Sequence, residues 1–243
     1  MNYRHAFHAG NFADCVKHAL LVALLRALLR KPAPFRVLDT HAGIGHYELA
    51  APEPQRTGEW RSGIARVMAR ADEALADYRT QVAAAGFPAH YPGSPALIRA
   101  LLREGDRLSV CELHPDDHAT LRTRFAGDAQ VSVHKRDAYE AVTALTPFPE
   151  RRGLILLDPP FERDDEFDHV ARREAAVPDC IAAELTLREP TDPARLNGCG
   201  LLVANAPFGF DNEARGILNA LLACLSQGET GAGATLIRVT EER

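Results

Sequence analysis

Four apolar runs in this chain each lead into a carboxylate, and that repetition limits the fold more than any other feature. Phe35-Arg36-Val37-Leu38 ends on Asp39 and Gly153-Leu154-Ile155-Leu156-Leu157 on Asp158, while the runs from Arg107 and from Val131 to Lys135 lead into Glu112 and Asp137. Short apolar runs closed by turn formers read as strands of a parallel sheet buried on both faces. Stretches of helical texture lie between them, and strands alternating with helices imply an α/β, doubly wound, mostly parallel sheet. In such sheets a ligand lies beyond the carboxyl ends of the strands, where the order reverses. Taken singly, each acid is an ordinary strand-ending turn former. Four at successive strand ends read better as one site.

The rest of the chain fits around these strands. Asn11 followed by Asp14 resembles a capping box, and leucines from Leu20 to Leu29 recur at helical spacing, so a first helix is expected from Phe12 to Arg30, stopped by Pro32 and Pro34. From 51 to 100 the texture changes to alanine, arginine and charge, with a helix expected from Ile64 to Gln81, turns at Pro88 and Tyr91-Pro92-Gly93-Ser94-Pro95, and a further helix to Arg103. We read this stretch as a small helical subdomain inserted after the first strand, with 1–50 and 101–243 forming the main domain. Beyond Asp158, strands are expected at Leu201–Asn205 and Ala234–Val239, with a helix from Asn212 to Leu225 between them.

Composition excludes several classes. With 243 residues, 46% of them hydrophobic, and a net charge of −5, the chain is no polycation, so any nucleic acid must be held by a local patch. The first 36 residues supply one: Arg4, Lys17, Arg26, Arg30, Lys31 and Arg36 stand against the single acid Asp14. Cys15, Cys111, Cys180, Cys199 and Cys224 are odd in number and widely spaced, as expected of reduced thiols in the cytoplasm. The apolar stretch Ala19–Leu29 is too short to span a bilayer, and the histidine spacings match no metal-ligand set, so neither membrane nor metal is expected.

The loops after the strands carry the chemistry. After Asp39 comes Thr40-His41-Ala42-Gly43-Ile44-Gly45, a glycine turn that lets backbone approach a ligand closely. An acid ending the next strand, here Glu112, accepts hydrogen bonds from ribose hydroxyls in nucleotide-binding folds. A dehydrogenase would place that acid ~20 residues after its glycines and would show Gly-x-Gly-x-x-Gly; here the acid lies much further on and the third glycine is missing. Asp158-Pro159-Pro160-Phe161 offers a carboxylate, carbonyls free to accept and a flat ring, the set needed to hold a planar heterocycle bearing an amino group. Together these segments favour S-adenosylmethionine over a nicotinamide cofactor.

The set resembles the class I S-adenosylmethionine-dependent amino-methyltransferases, and within them the bacterial 23S ribosomal RNA adenine-N6 methyltransferases of the J type. The resemblance rests on Tyr3-Arg4-His5, Phe7-His8-Ala9-Gly10-Asn11, Ala13-Asp14 and Lys17-His18, then Asp39-Thr40-His41-Ala42-Gly43, Tyr91-Pro92-Gly93-Ser94-Pro95, Glu112-Leu113-His114-Pro115 and Asp158-Pro159-Pro160-Phe161-Glu162, all in the family's order. It implies a Rossmann-like methyltransferase domain carrying the inserted helical subdomain. It also implies cofactor contacts from Lys17, His18, His41, Gly43, Ser94, Glu112, Asp137, Ala138 and Asp158. Asp158 would accept the proton, assisted by Pro159 and Phe161, and Tyr3, Arg4 and His5 would face the RNA. The implied partner is 23S rRNA, free or in a ribosomal particle, met by a monomer with no obligate protein partner.

Two rivals keep the same residues. A DNA adenine methyltransferase shares Asp-Pro-Pro-aromatic but would need a target-recognition region for which there is little room. A non-catalytic cofactor-binding RNA scaffold would not need an intact Asp158-Pro159-Pro160-Phe161. One segment departs from the family pattern: Asn205-Ala206-Pro207-Phe208 has alanine where the family more usually has proline.

Overall fold

The computed structural model describes residues 4–159, 179–192 and 195–239; Tyr3, Pro160 and Phe161 fall outside them. Nine strands are described: β1 Arg36–Asp39, β2 His46–Glu48, β3 His90–Pro92, β4 Arg107–Cys111, β5 Val131–His134, β6 Gly153–Leu156, β7 Cys180–Thr186, β8 Gly198–Ala204 and β9 Gly233–Arg238. The helices are α1 Phe12–Leu29, α2 Pro52–Thr57, α3 Glu59–Ser62, α4 Ile64–Ala69, α5 Ala76–Ala84, α6 Ser94–Leu101, α7 Pro115–Arg124, α8 Ala138–Leu145 and α9 Phe210–Leu225. The chain divides into two compact units, one of Met1–Ala9, Leu28–Arg56 and Gln81–Glu162, the other of Gly10–Ala27, Thr57–Thr80 and Arg163–Arg243.

The first unit contains the parallel sheet, in the order β5-β4-β1-β6. Asp39 pairs in register with Val110 on one side and Leu156 on the other, so the carboxyl ends of β1, β4 and β6 come level. Phe35, Val37, Leu38, Leu108 and Val110 are fully buried, as the apolar runs predict. Asp106 fixes where the two central strands enter: its carboxylate accepts the backbone N–H groups of Phe35 at 3.0 Å and Arg103 at 2.9 Å. On one face Leu38, Cys111 and Ala141 pack with Val142, Leu145 and Phe148. Burial and nearby carboxylates push the Cys111 thiol up to about 11, so it stays protonated and packs as a small apolar residue. Strand β6 differs from its expected burial. It pairs with β1 as predicted, but Ile155 is 37% exposed, because an apolar run sets strand length without setting how many neighbours the strand acquires.

The second unit corrects the expectation for the last strands. Both were expected within the parallel sheet; instead β8 and β9 pair antiparallel with β7, a strand the sequence reading missed, in a separate three-stranded sheet. The cause is the connection. Among the described residues between β7 and β8 there is no helix, and a parallel partner needs a crossover of a dozen or more residues. The predicted Ile64–Gln81 helix is likewise broken between α4 and α5. Asp72 accepts the Ala74 N–H at 3.0 Å and so starts a new turn of its own.

Helix α9 packs on β7 and β9, and its own last turn has no basic residue for the terminal carbonyls. Two arginines from the α4 region supply one. Arg66 donates to the carbonyls of Cys224 at 2.8 Å and Ser226 at 3.1 Å, and Arg70 donates to that of Ala223 at 2.9 Å. Cations at a helix carboxyl end complement its dipole as well as its orphan acceptors. Arg66→Met keeps the packed stem and removes the donors, and is expected to lower stability by about 2 kcal/mol in urea unfolding. An unchanged midpoint would show that water replaces the guanidinium without cost.

Candidate active site

The sheet order sets out the four acids in a row. Asp137, Glu112, Asp39 and Asp158 follow β5, β4, β1 and β6 or end them, and strands sit ~4.8 Å apart, so the row spans roughly 15 Å. Three of the acids have a local job. Asp39, fully buried, accepts the His41 N–H at 3.3 Å and so starts the turn. Asp137 caps α8: its Oδ1 accepts the N–H groups of Tyr139 at 2.9 Å and Glu140 at 3.1 Å, placing the buried Ala138 at the helix start. Glu112 holds two loops together, with Oε2 accepting from Gly43 N at 2.9 Å and Oε1 from His114 N at 2.8 Å. Burial pushes its carboxyl above the ordinary glutamate range, against those N–H groups, which favour the charged form.

The glycine turn is closely packed by its neighbours. Gly43 has φ +57, and a Cβ there would sit 2.3 Å from the hydroxyl of Tyr47, a buried residue that sequence reading did not single out. Gly93 approaches the Gly45 carbonyl so closely that a Cβ would lie 3.2 Å from it, and its N–H donates to that carbonyl at 3.0 Å. The two backbone segments therefore meet directly, with the Tyr47 ring packed against them 3.1 Å from where a Gly93 Cβ would lie. A strand-end carboxylate with a second lone pair on each oxygen and a capping aspartate one strand further on are acceptors of the kind that a ribose diol and an exocyclic amine require.

Ser94, expected to meet a cofactor, is 5% exposed and begins α6, while Gly93 occupies the cap position. Asp158 is half-buried after β6, with the buried Pro159 next to it, and its backbone N–H donates to His41 Nδ1 at 3.3 Å. Thus β1, β4 and β6 bring His41, Gly43, Glu112 and Asp158 to one end of the sheet. Phe161 lies outside the described residues.

At the N-terminus, Arg4 is held between Asp117 at 3.5 Å and Glu53 at 3.7 Å, and His5 lies against the Tyr47 ring at 5.4 Å. Tyr3 is outside the described residues. In the second unit, Asn11 accepts the Asp14 N–H at 2.9 Å, and Asp14 reaches back to the Gly10 N–H at 2.9 Å, a capping arrangement shifted by one residue from the expected box. Asp14 also lies 3.0 Å from the Lys17 ammonium, and His18, one turn on, is fully buried. Among the described residues no group of three histidines, cysteines, aspartates or glutamates is placed to hold a metal ion. No helix among them is long and apolar enough to cross a membrane.

Comparison with known proteins agrees with this geometry. Residues 32–178 match the family described as Ribosomal RNA large subunit methyltransferase D, RlmJ. The chain is 42% identical to the ribosomal RNA large subunit methyltransferase J of Escherichia coli K12 over 269 residues, covering 95% of this chain and 96% of that one. It is 31% identical to the Haemophilus influenzae protein of the same name over 271 residues, covering 96% of each. Both alignments are longer than the 243-residue chain, so the relatives carry residues this chain lacks. A crystal structure of a Legionella pneumophila protein superposes with a TM-score of 0.86 at 28% identity, covering 95% of this chain and 98% of that one. On the family match and the identity along nearly its whole length, the chain belongs to the RlmJ family of ribosomal RNA large subunit methyltransferases.

Proposed function

We propose that this chain transfers a methyl group from S-adenosylmethionine to the N6 amine of one adenine in 23S rRNA. The observation that carries the reading is the row of strand-end acids with Asp158-Pro159 at its end, beside the left-handed Gly43–Gly45 turn. In this reading the adenine of the cofactor lies towards Asp137 and Ala138, and its ribose accepts support from Glu112. Gly43, His41, Ser94, Lys17 and His18 complete the cofactor contacts. Tyr3, Arg4 and His5 face the RNA, and the protein acts as a monomer in the cytoplasm, on free rRNA or on a ribosomal particle.

S-adenosylmethionine, when bound, supplies a methyl group activated by a positively charged sulfur. The residues of the chain act on the other partner. An adenine amine is a weak nucleophile because its lone pair is delocalised into the ring. Asp158 and the Pro159 carbonyl accept its two hydrogens, which favours a pyramidal nitrogen with the lone pair directed out of the ring plane. Catalysis is then mostly positioning. The nitrogen becomes cationic as it is methylated and is strongly acidic, so a carboxylate is base enough to take the proton. Phe161 stacks on the base, which must leave any helix to enter the pocket.

Deleting the gene is expected to remove one N6-methyladenine from digests of 23S rRNA analysed by mass spectrometry, and restoring the gene is expected to return it. An rRNA methyladenine inventory unchanged by deletion would rule the proposal out.

A further inference from the structure

Asp158 gains its place from the strand next door, and the residue that arranges this is Thr40. Its N–H continues the β1–β6 ladder by donating to the Leu156 carbonyl at 3.1 Å, and its buried hydroxyl lies 3.0 Å from that same oxygen. The hydroxyl oxygen is also 2.9 Å from His41 Nδ1, the atom that receives the Asp158 backbone N–H at 3.3 Å. A threonine hydroxyl has one proton and can accept as well as donate. With Nδ1 unprotonated, Thr40 donates to it at 2.9 Å and the Asp158 N–H shares the same lone pair from 3.3 Å, a three-centre bond for which the hydroxyl sets the ring. With the proton on Nδ1, the histidine donates to Thr40, Thr40 donates to Leu156, and Asp158 loses its acceptor.

We propose that Thr40 is a positioning residue: its hydroxyl fixes the His41 ring so that Nδ1 anchors the Asp158 backbone, and with it the carboxylate that meets the amine. The ladder explains why this position suits a threonine. The residue is 3% exposed at the end of β1, where a β-branched side chain packs well and only a short hydroxyl can reach both Leu156 and His41. Sequence reading passed over Thr40 because it lies between an acid and a histidine that both looked functional. The inference rests on the methyltransferase reading only in making Asp158 the reactive carboxylate.

The test uses the whole protein with Thr40→Val, which keeps the shape and removes the hydroxyl, and Thr40→Ser, which keeps the hydroxyl. Thr40→Val is expected to lower kcat at least tenfold with saturating RNA and S-adenosylmethionine. Its KM for RNA should stay within about twofold. Thr40→Ser should recover kcat to within about threefold. Independently of turnover, amide exchange followed by NMR should show the Asp158 N–H protected in the wild type and in Thr40→Ser, and exchanging at least tenfold faster in Thr40→Val. Should Thr40→Val not fold, Thr40→Ala is read the same way. Wild-type kcat and Asp158 protection in Thr40→Val would overturn the proposal, as would a Thr40→Ser as impaired as Thr40→Val. If the wild type methylates no RNA, the functional reading fails, while the exchange arms still decide whether Thr40 anchors Asp158.

Discussion

Asp158→Ala is expected to reduce methyl transfer to RNA by about a thousandfold or more, and Asp158→Asn by an intermediate factor. General acid–base contributions of a single side chain run from ~10² to 10⁴ in rate, and the alanine variant loses alignment of the amine as well. Asparagine keeps an acceptor for one amino hydrogen but cannot take the proton. The order wild type, asparagine, alanine therefore separates alignment from proton removal. Each rate is to be read from single turnovers with cofactor binding measured alongside by calorimetry. An asparagine variant with full activity would remove the proton-accepting role from Asp158 and leave only alignment.

The largest stability effect is expected at a residue with no part in chemistry. Gly63 joins α3 to α4 where the chain passes against the start of α1, and the Ile64 N–H donates to the Gly10 carbonyl at 2.9 Å. A Cβ on Gly63 would lie 2.1 Å from that carbonyl oxygen and 2.9 Å from Asn11 Cα. Both neighbours are backbone, so neither can swing aside as a side chain would. Gly63→Ala should cost about 4 kcal/mol or more, a large share of the ~5–15 kcal/mol by which folded proteins are held. For a chain of this size that lowers the melting temperature by roughly 8–16 °C. Gly216→Ala is the matched control. Gly216 lies within α9, where a new Cβ meets nothing closer than Ala74 Cβ at 3.9 Å, and alanine should stabilise by about 0.5–1 kcal/mol. Opposite signs at two glycines are the expected outcome of paired thermal melts; equal shifts would mean that the Gly10–Gly63 approach is looser than described.

The parallel strands and their acids were legible because each strand is a compact apolar run with its own terminator. The same runs could not say that β6 would stand with Ile155 partly exposed, since solvent contact depends on neighbours distant in sequence. Strand β7 escaped because Cys180-Ile-Ala-Ala-Glu-Leu-Thr186 mixes small residues with one acid and shows little alternation. With β7 missing, β8 and β9 had no visible antiparallel partner and were placed in the wrong sheet.

At the site, Asp39, His41, Gly43, Glu112, Asp137 and Asp158 were readable from position and motif. Their roles in holding one another were not. Glu112 could be named as a ribose acid, yet nothing in the sequence shows it clamping Gly43 and His114. Tyr47 and Thr40 matter through what they touch, and touching is a property of the fold. Asn205 also gains a physical sense, since it follows β8 with φ +53, a left-handed turn that asparagine tolerates; the alanine at 206, where the family more usually has proline, has no structural explanation.

The most direct measurement of the central claim is a transfer assay on purified components. The chain is incubated with S-adenosylmethionine labelled in its methyl group and 23S rRNA from cells lacking the gene, and the labelled nucleoside is then identified by mass spectrometry. The account predicts label in N6-methyladenine at a single position, absent when rRNA from the parent strain is used or when Asp158 is alanine. Label in DNA, in protein or in any other nucleoside would contradict it.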